Sequence, residues 1–259
     1  MKSIKIAFFD IDGTIFNHNT NSIAESTIEA IQALNHKGIK TIISTGRTRQ
    51  NCIDVAEKVG ITNFINVNGN YVTIDEKVIH KTAISLETLK KFDEFARSNN
   101  HCFYYCGEMD NNISSANHPY TEKHFNQHYL KQMKSEADFH LKNEVLQIAL
   151  LCEHEYLPLY HPQFNDLTFK PWISIGTDIF VKGQSKAKGI EKVLAYYNFH
   201  ADEAIAFGDG VNDIEMLQYV GTGIAMGNAN DEVKSAANIV AKSIDEDGIF
   251  HSLKQLSII

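Results

Sequence analysis

The chain has 259 residues, 43% of them hydrophobic, and a formal net charge of −8 at pH 7, enough length for one large core or two smaller ones. No Lys/Arg block interrupts the acidic balance, so the surface offers no electrostatic footprint for nucleic acid or an anionic membrane, and an anionic ligand must be held by local positive charge. There is no run of eighteen apolar residues and the N-terminus lacks the regions of a signal peptide, so a soluble, cytoplasmic protein is expected.

The first apolar run, residues 4–9, is short and rich in β-branched and aromatic side chains, which predicts a central strand. It stops at Asp10-Ile11-Asp12-Gly13-Thr14, where Gly13 lets the chain turn back and two carboxylates emerge together. Such a pair can hold a divalent cation and attack phosphorus. Asp-x-Asp-Gly also opens calcium loops and ordinary turns. An EF-hand needs a closing Glu within a dozen residues, however, and 14–21 contains no acid. The turn remains open as the simpler reading.

Ile23, Thr27, Ala30, Ile31 and Leu34 recur at helical spacing before Gly38, which predicts a helix over 22–36. A strand over 39–44 leads into Ser44-Thr45-Gly46-Arg47. A helix over 47–59 is expected there, its N-terminus suited to an anionic oxygen or merely capped by the hydroxyl, two readings of equal weight. A strand over 64–68 completes an alternation that predicts a parallel sheet covered by helices.

All four prolines, Trp172 and seven of the twelve histidines then fall in one stretch, a composition shift that marks an insertion with hinges near 82–84 and 182–184. It opens with an amphipathic helix carrying Leu86, Leu89, Phe92, Phe95 and Ala96, followed by strands over 102–105 and 145–152. His118, His124 and His128 have mixed spacing, and only His124 and His128 share a helical face, where a solvated pair is expected in preference to a ligand pair. Cys52, Cys102, Cys106 and Cys152 lack the Cys-x-x-Cys pairing of a zinc site and are read as small buried side chains.

The alternation returns with a helix over 186–197, a strand over 204–207, a helix over 213–219 and a strand over 223–225. The second apolar strand ends in Gly208-Asp209-Gly210-Val211-Asn212-Asp213. Two acidic loops at strand ends of one sheet suggest a metal, and oxygen ligands of this kind suit Mg²⁺. Lys186 opens the helix before that strand, where a lysine reaching inward would balance the acids. Lys188 is read as a surface charge.

In this order, Asp10–Thr14, Ser44–Arg47, Lys186 and Gly208–Asp213 resemble the four motifs of the haloacid dehalogenase superfamily of phosphohydrolases. The long insertion resembles its Cof-type branch, with a large α/β cap. The likeness covers essentially the whole chain and includes Asn68-Gly69 and Asp247-Gly248, although the cap matches more in length and position than in residues. It implies an α/β fold: a Rossmann-like parallel-sheet core over 1–83 and 183–259, with an inserted cap over 84–182 that sets specificity.

The resemblance also implies roles. Asp10 would be the nucleophile, and Asp12 the acid that protonates the leaving alcohol and then activates water. Asp10, the main-chain carbonyl of Asp12, and Asp209 would hold Mg²⁺, steadied by Asp213. Thr45, the N–H groups of Gly46 and Ile11, Lys186 and Asn212 would hold the phosphoryl oxygens, with Ser44 and Arg47 behind them. Asp12 is present here, whereas metal-free dehalogenases lack it, and mutases usually carry small helical caps nearer the N-terminus. The expected function is therefore Mg²⁺-dependent hydrolysis of a small phosphorylated metabolite, foremost a sugar phosphate, through an aspartyl phosphate. The alternatives are a catalytically weak metabolite-binding or regulatory protein and a phosphotransferase. No nucleic-acid or membrane partner is expected. The residues leave the oligomeric state unknown, with a monomer favoured.

Overall fold

A computed structural model of the chain describes residues 3–124 and 134–259. The chain divides into two compact units, one of residues up to His80 together with Ser185–Ile259, the other Lys81–Gln184. The divisions fall at 80/81 and 184/185, close to the hinges expected near 82–84 and 182–184.

The first unit is built on an eight-stranded sheet in the order β13-β12-β11-β1-β2-β3-β4-β5. Its strands are β1 (Ile6–Phe9), β2 (Lys40–Ser44), β3 (Asn63–Asn66), β4 (Tyr71–Ile74), β5 (Lys77–Lys81), β11 (Ala204–Gly208), β12 (Thr222–Ala225) and β13 (Ile239–Val240). All pairs from β13 to β3 are parallel, with Phe9 opposite both Phe207 and Ile43. Side chains alternate between faces. Ala7, Phe9, Ile43, Ile205 and Phe207 pack under α1 (Glu25–His36), α2 (Ile53–Val59) and α10 (Gly248–Gln255), through Ile31, Leu34, Val55, Val59, Ile249 and Leu253. Their neighbours Ile6, Phe8, Ile42, Ala204 and Ala206 pack under α7 (Lys186–Tyr197), α8 (Ile214–Tyr219) and α9 (Asp231–Ala236). Burial on both faces is why these strands read as continuous apolar runs.

Three expectations need correction. The helix expected over 47–59 begins late: 47–49 are irregular, Gln50–Cys52 is a 3-10 turn, and α2 starts at Ile53. The Arg47 carbonyl is taken by the Val67 N–H at 3.1 Å and the Asn66 amide at 3.1 Å, so no helical ladder starts there. The strand expected over 64–68 stops at Asn66, because Val67 and Asn68 adopt φ of 44° and 53°. Finally, the sheet is not wholly parallel, since β4 runs antiparallel to β3. Beyond β4, the turn to β5 has Asp75 and Glu76 both in the left-handed region, as a two-residue hairpin of type I′ requires.

The Lys81–Gln184 unit holds a five-stranded antiparallel sheet in the order β7-β6-β8-β10-β9. These are β6 (Cys102–Cys106), β7 (Asn111–Ile113), β8 (Gln147–Leu151), β9 (Leu167–Ile173) and β10 (Gly176–Val181). Its described helices are α3 (Leu86–Ser98), α4 (Pro119–His124), α5 (Phe139–Lys142) and α6 (Leu157–Tyr160). Ser85 caps α3 by accepting from the Thr88 N–H, and Phe92 meets Phe103, Tyr160 and Phe164 at ring separations of 5.3–5.6 Å. His118 donates from Nε2 to the Asn100 carbonyl at 3.0 Å. His128 and the side chain of His124 lie outside the described residues. All four cysteines are free and buried. Among the described residues, no helix is long and apolar enough to cross a membrane.

Phe9 and Phe207 stack across β1 and β11 with centroids 5.3 Å apart and planes within 5°. Phe207→Ala should therefore cost about 3–5 kcal/mol, read by urea unfolding of the first unit. A loss below 1 kcal/mol would show that the sheet centre does not depend on this stack.

Candidate active site

Because β11, β1 and β2 are parallel and in register, their carboxyl ends open on one edge, where open α/β sheets bind ligands. The chain leaves β1 at Asp10, whose N–H still donates to the Phe207 carbonyl at 3.0 Å, and leaves β11 at Asp209. Gly13, at φ +77°, sits so close to Asp209 that a Cβ there would lie 2.1 Å from its Oδ2. A glycine is thus required both for the turn and for the approach of the two acid loops.

Lys186 is the centre of this edge. Its side chain is fully buried, and Nζ donates to Asp10 Oδ1 and to Asp213 Oδ1, each at 2.6 Å. It gets there because Ser185 caps α7 by accepting from the Lys188 N–H, which places Lys186 at the first helical position. Lys188 instead pairs with Glu191 at the surface. Burial would lower the Lys186 pKa, but Asp10 and Asp213 outweigh it and raise it, so the lysine is a fixed positive charge.

One cation does not balance the acids around it. Asp10, Asp209 and Asp213 bring carboxylate oxygens within 4.8 Å of one another. Burial, with repulsion from Asp213, raises Asp10 well above the ordinary carboxylate range despite Lys186, and raises Asp209 to about 6. Asp213 is saturated: Oδ1 takes Lys186, and Oδ2 accepts the N–H groups of Asp209 at 3.0 Å and Gly210 at 2.9 Å. Among the described residues no hydrogen bond engages Asp10 Oδ2. Among the described residues Asp209 accepts from Thr14 Oγ1 at 3.2 Å and from the Asn228 amide at 3.3 Å. A surplus of carboxylates with lone pairs to spare fits a hard divalent cation.

Asp12 stands apart. Arg47 grips it with both arms, Nε to Oδ2 at 2.9 Å and Nη2 to Oδ1, while His18 Nε2 lies 2.6 Å from Oδ1. Burial acts to raise its pKa, but the hydrogen bonds and charge of Arg47 and then His18 prevail and lower it. Ser44 and Thr45 are buried at the end of β2. Thr45 Oγ1 accepts from the Arg47 N–H at 3.1 Å, so this hydroxyl supports a bend and not the helix N-terminus expected from sequence. Ile11 is buried, its carbonyl closing the turn to Thr14, Ile15 and Phe16, and Gly46 lies in the bend after β2. Asn212 joins the edge through Asn68, at 3.0 Å.

Residues 7–253 match the family model of the haloacid dehalogenase-like hydrolases. The chain belongs to this family. It is 35% identical over 257 residues to "Putative phosphatase YkrA" of Bacillus subtilis, covering 98% of both chains. A hypothetical protein of Geobacillus kaustophilus superposes with a TM-score of 0.91 at 34% identity, over 99% of this chain and 100% of that one. The subclass IIB sugar phosphatase BT4131 superposes with a TM-score of 0.89 at 32% identity, over 98% and 100%. The protein is a Cof-type hydrolase of the phosphatase class, acting on phosphoric monoesters.

Two residues of this hydrolase's edge, His18 and Asn228, escaped sequence reasoning, and Thr14, quoted in the first motif, was given no role of its own. Asn228 also donates to the Gly13 carbonyl at 2.9 Å and accepts the Ile244 N–H at 3.0 Å, so it ties both acid loops together. The signal for it was available, since Met226-Gly227-Asn228 follows β12, a further strand end. His18 lies beyond the turn that Gly13 makes, and nothing in its spacing points back to Asp12.

Removing the buried ammonium would leave carboxylates unpaired. Lys186→Met should lose about 3–5 kcal/mol at neutral pH, measured by urea unfolding in chelator. Carboxylates whose folded pKa is raised weaken the fold above that pKa and cease to do so as pH falls toward their unfolded value. Acidification from pH 7 through about 6, the value for Asp209, should therefore recover part of the loss. A variant as stable as the parent at pH 7 would contradict the electrostatic account.

Proposed function

We propose that the protein is a Mg²⁺-dependent phosphatase of a small phosphorylated metabolite, foremost a sugar phosphate, working through an aspartyl phosphate on Asp10. The observation that carries this is the buried Lys186 ammonium 2.6 Å from Asp10, with Asp209 beside it and Asp12 held apart on Arg47. The substrate class is supported by the likeness to a protein named as a sugar phosphatase. Selection among metabolites is assigned to the inserted Lys81–Gln184 unit.

Asp10 and Asp209, with the Asp12 carbonyl, are the groups that would hold Mg²⁺; the ion would offset their charge and that of the phosphoryl oxygens. Lys186 directs Asp10 through Oδ1, which leaves Oδ2 to form the bond to phosphorus as the bond to the leaving oxygen breaks. Thr45, the Gly46 and Ile11 N–H groups, Lys186 and Asn212 receive the phosphoryl oxygens. Asp12 gives its proton to the leaving alkoxide, then takes one from the water that attacks phosphorus and frees Asp10 and phosphate. In the grip of Arg47 and His18, Asp12 is ionised, which suits the second half-reaction. The first half requires it to leave the arginine and gain a proton.

Asp10→Asn should abolish phosphate release with the fold intact, whereas Asp12→Asn should lose about a hundredfold to ten-thousandfold. Both are read by phosphate release from a panel of sugar phosphates, with Mg²⁺ or chelator and with alcohol acceptors present. Persisting turnover in Asp10→Asn would remove it as nucleophile, and phosphoryl transfer to the alcohols at the expense of free phosphate would make the protein a phosphotransferase.

Metal binding has a readout independent of activity. At about a hundredfold its Kd, Mg²⁺ stabilises the folded state by about 2.7 kcal/mol, roughly a 5–10 °C rise in Tm. Asp209→Asn should lose most of that rise and Asp12→Asn should keep it. An equal loss in both variants would mean that the Asp12 carboxylate, and not its carbonyl, serves the ion.

A further inference from the structure

Three consecutive residues of the first unit, Val67, Asn68 and Gly69, have φ of 44°, 53° and 95°. A β-branched residue is a conspicuous outlier there, and such conformations persist only where the surroundings over-determine them, commonly at working sites. The surroundings do so here. The Val67 N–H donates to Arg47 O and the Asn68 N–H to Thr45 O, each at 3.1 Å. On the other side, a Cβ at Gly69 would stand 2.0 Å from the carbonyl oxygen of Ser185, the cap of the Lys186 helix. The turn is thus clamped between the Thr45 loop and the start of α7. From it, Asn68 Oδ1 accepts the Asn212 amide N–H at 3.0 Å.

We infer that Asn68 is a positioning residue for phosphoryl binding: its Oδ1 fixes the Asn212 amide so that the second N–H of that amide is presented to a phosphoryl oxygen. This rests on the reading of Asn212 as a phosphate-binding group. An unrestrained amide rotates about a broad terminal torsion and would have to be ordered by each ligand. Bonded to Asn68 it is ordered in advance, and that ordering is no longer a cost of binding. Two demands converge on position 68. The backbone needs a residue that tolerates the left-handed region, which asparagine does, and Asn212 needs a neutral acceptor that does not repel phosphate.

Glycine satisfies the first demand and not the second, so Asn68→Gly removes the amide without straining the turn. Its Tm should stay near the parent's. Its affinity for inorganic phosphate, by calorimetry in Mg²⁺, should fall about three- to tenfold, the span of one neutral hydrogen bond. The KM for p-nitrophenyl phosphate should rise with it, while kcat changes less. In an Asn212→Ala background, Asn68→Gly should have no further effect on phosphate affinity, because the group it orients is gone. Unchanged affinity in Asn68→Gly, or losses that add in the double variant, would overturn the inference. Calorimetry reads this without turnover, so a parent that binds phosphate but releases none from esters would count against the proposed function alone.

Discussion

Everything at the sheet edge depends on one buried cation shared between two carboxylates. Lys186 lies 176 residues from Asp10 and 27 from Asp213, so the pairing exists only in the folded core. Burying an ammonium and its partners is costly unless the hydrogen bonds are complete, and here they are: Nζ meets two carboxylates, and Asp213 spends its other oxygen on two backbone N–H groups. The arrangement locks the loop after β11 to the start of α7. It also leaves a net negative charge, since Asp209 has no cation of its own among the described residues, and that residual charge is what makes the edge attractive to a divalent ion.

The sheet makes this economical. Parallel strands in register end together, so groups far apart in the chain arrive on one edge without a dedicated scaffold. The burial of β1 and β11 on both faces holds the ends still, and two small details bring the loops into contact: the Gly13 turn, with no Cβ to collide with Asp209, and Asn228, which bonds both loops at once. The proposed chemistry needs such fixed spacing, because charge stabilisation of a phosphoryl group works only when the donors need not reorganise.

The residues disclosed this edge because it is made of interruptions. A run such as Ile6–Phe9 that ends in Asp10 reads as a strand with a purpose at its end, and α7 is bounded at both ends by local signals, Ser185 as cap and Asn198 in the left-handed region. What stayed hidden was set by tertiary contact. Val67 favours extended backbone by its branching, yet is bent by bonds to Arg47 and by the packing of Gly69 on Ser185, so β3 ends early. Arg47 looked like the first residue of a helix, but its side chain is drawn to Asp12 and its carbonyl to the 66–67 turn, and α2 is delayed. His18 acts through a contact with no period or spacing to betray it, whereas Asn228 lies just past the end of β12.

Asp10 and Asp12 are two residues apart and chemically alike, and the fold sends them in opposite directions. Asp10 is pushed up by burial and by the carboxylates beside it. Asp12 is drawn down by an arginine and a histidine that outweigh its burial. Environments that separate two equivalent acids are how one site supplies groups of different function. The proposed nucleophile is thus pushed toward its protonated form by burial and neighbouring carboxylates, and the proposed acid–base group is held toward its ionised form by protein alone. Under the proposed function, a cation would favour the ionised form of Asp10, and release from Arg47 would let Asp12 gain a proton.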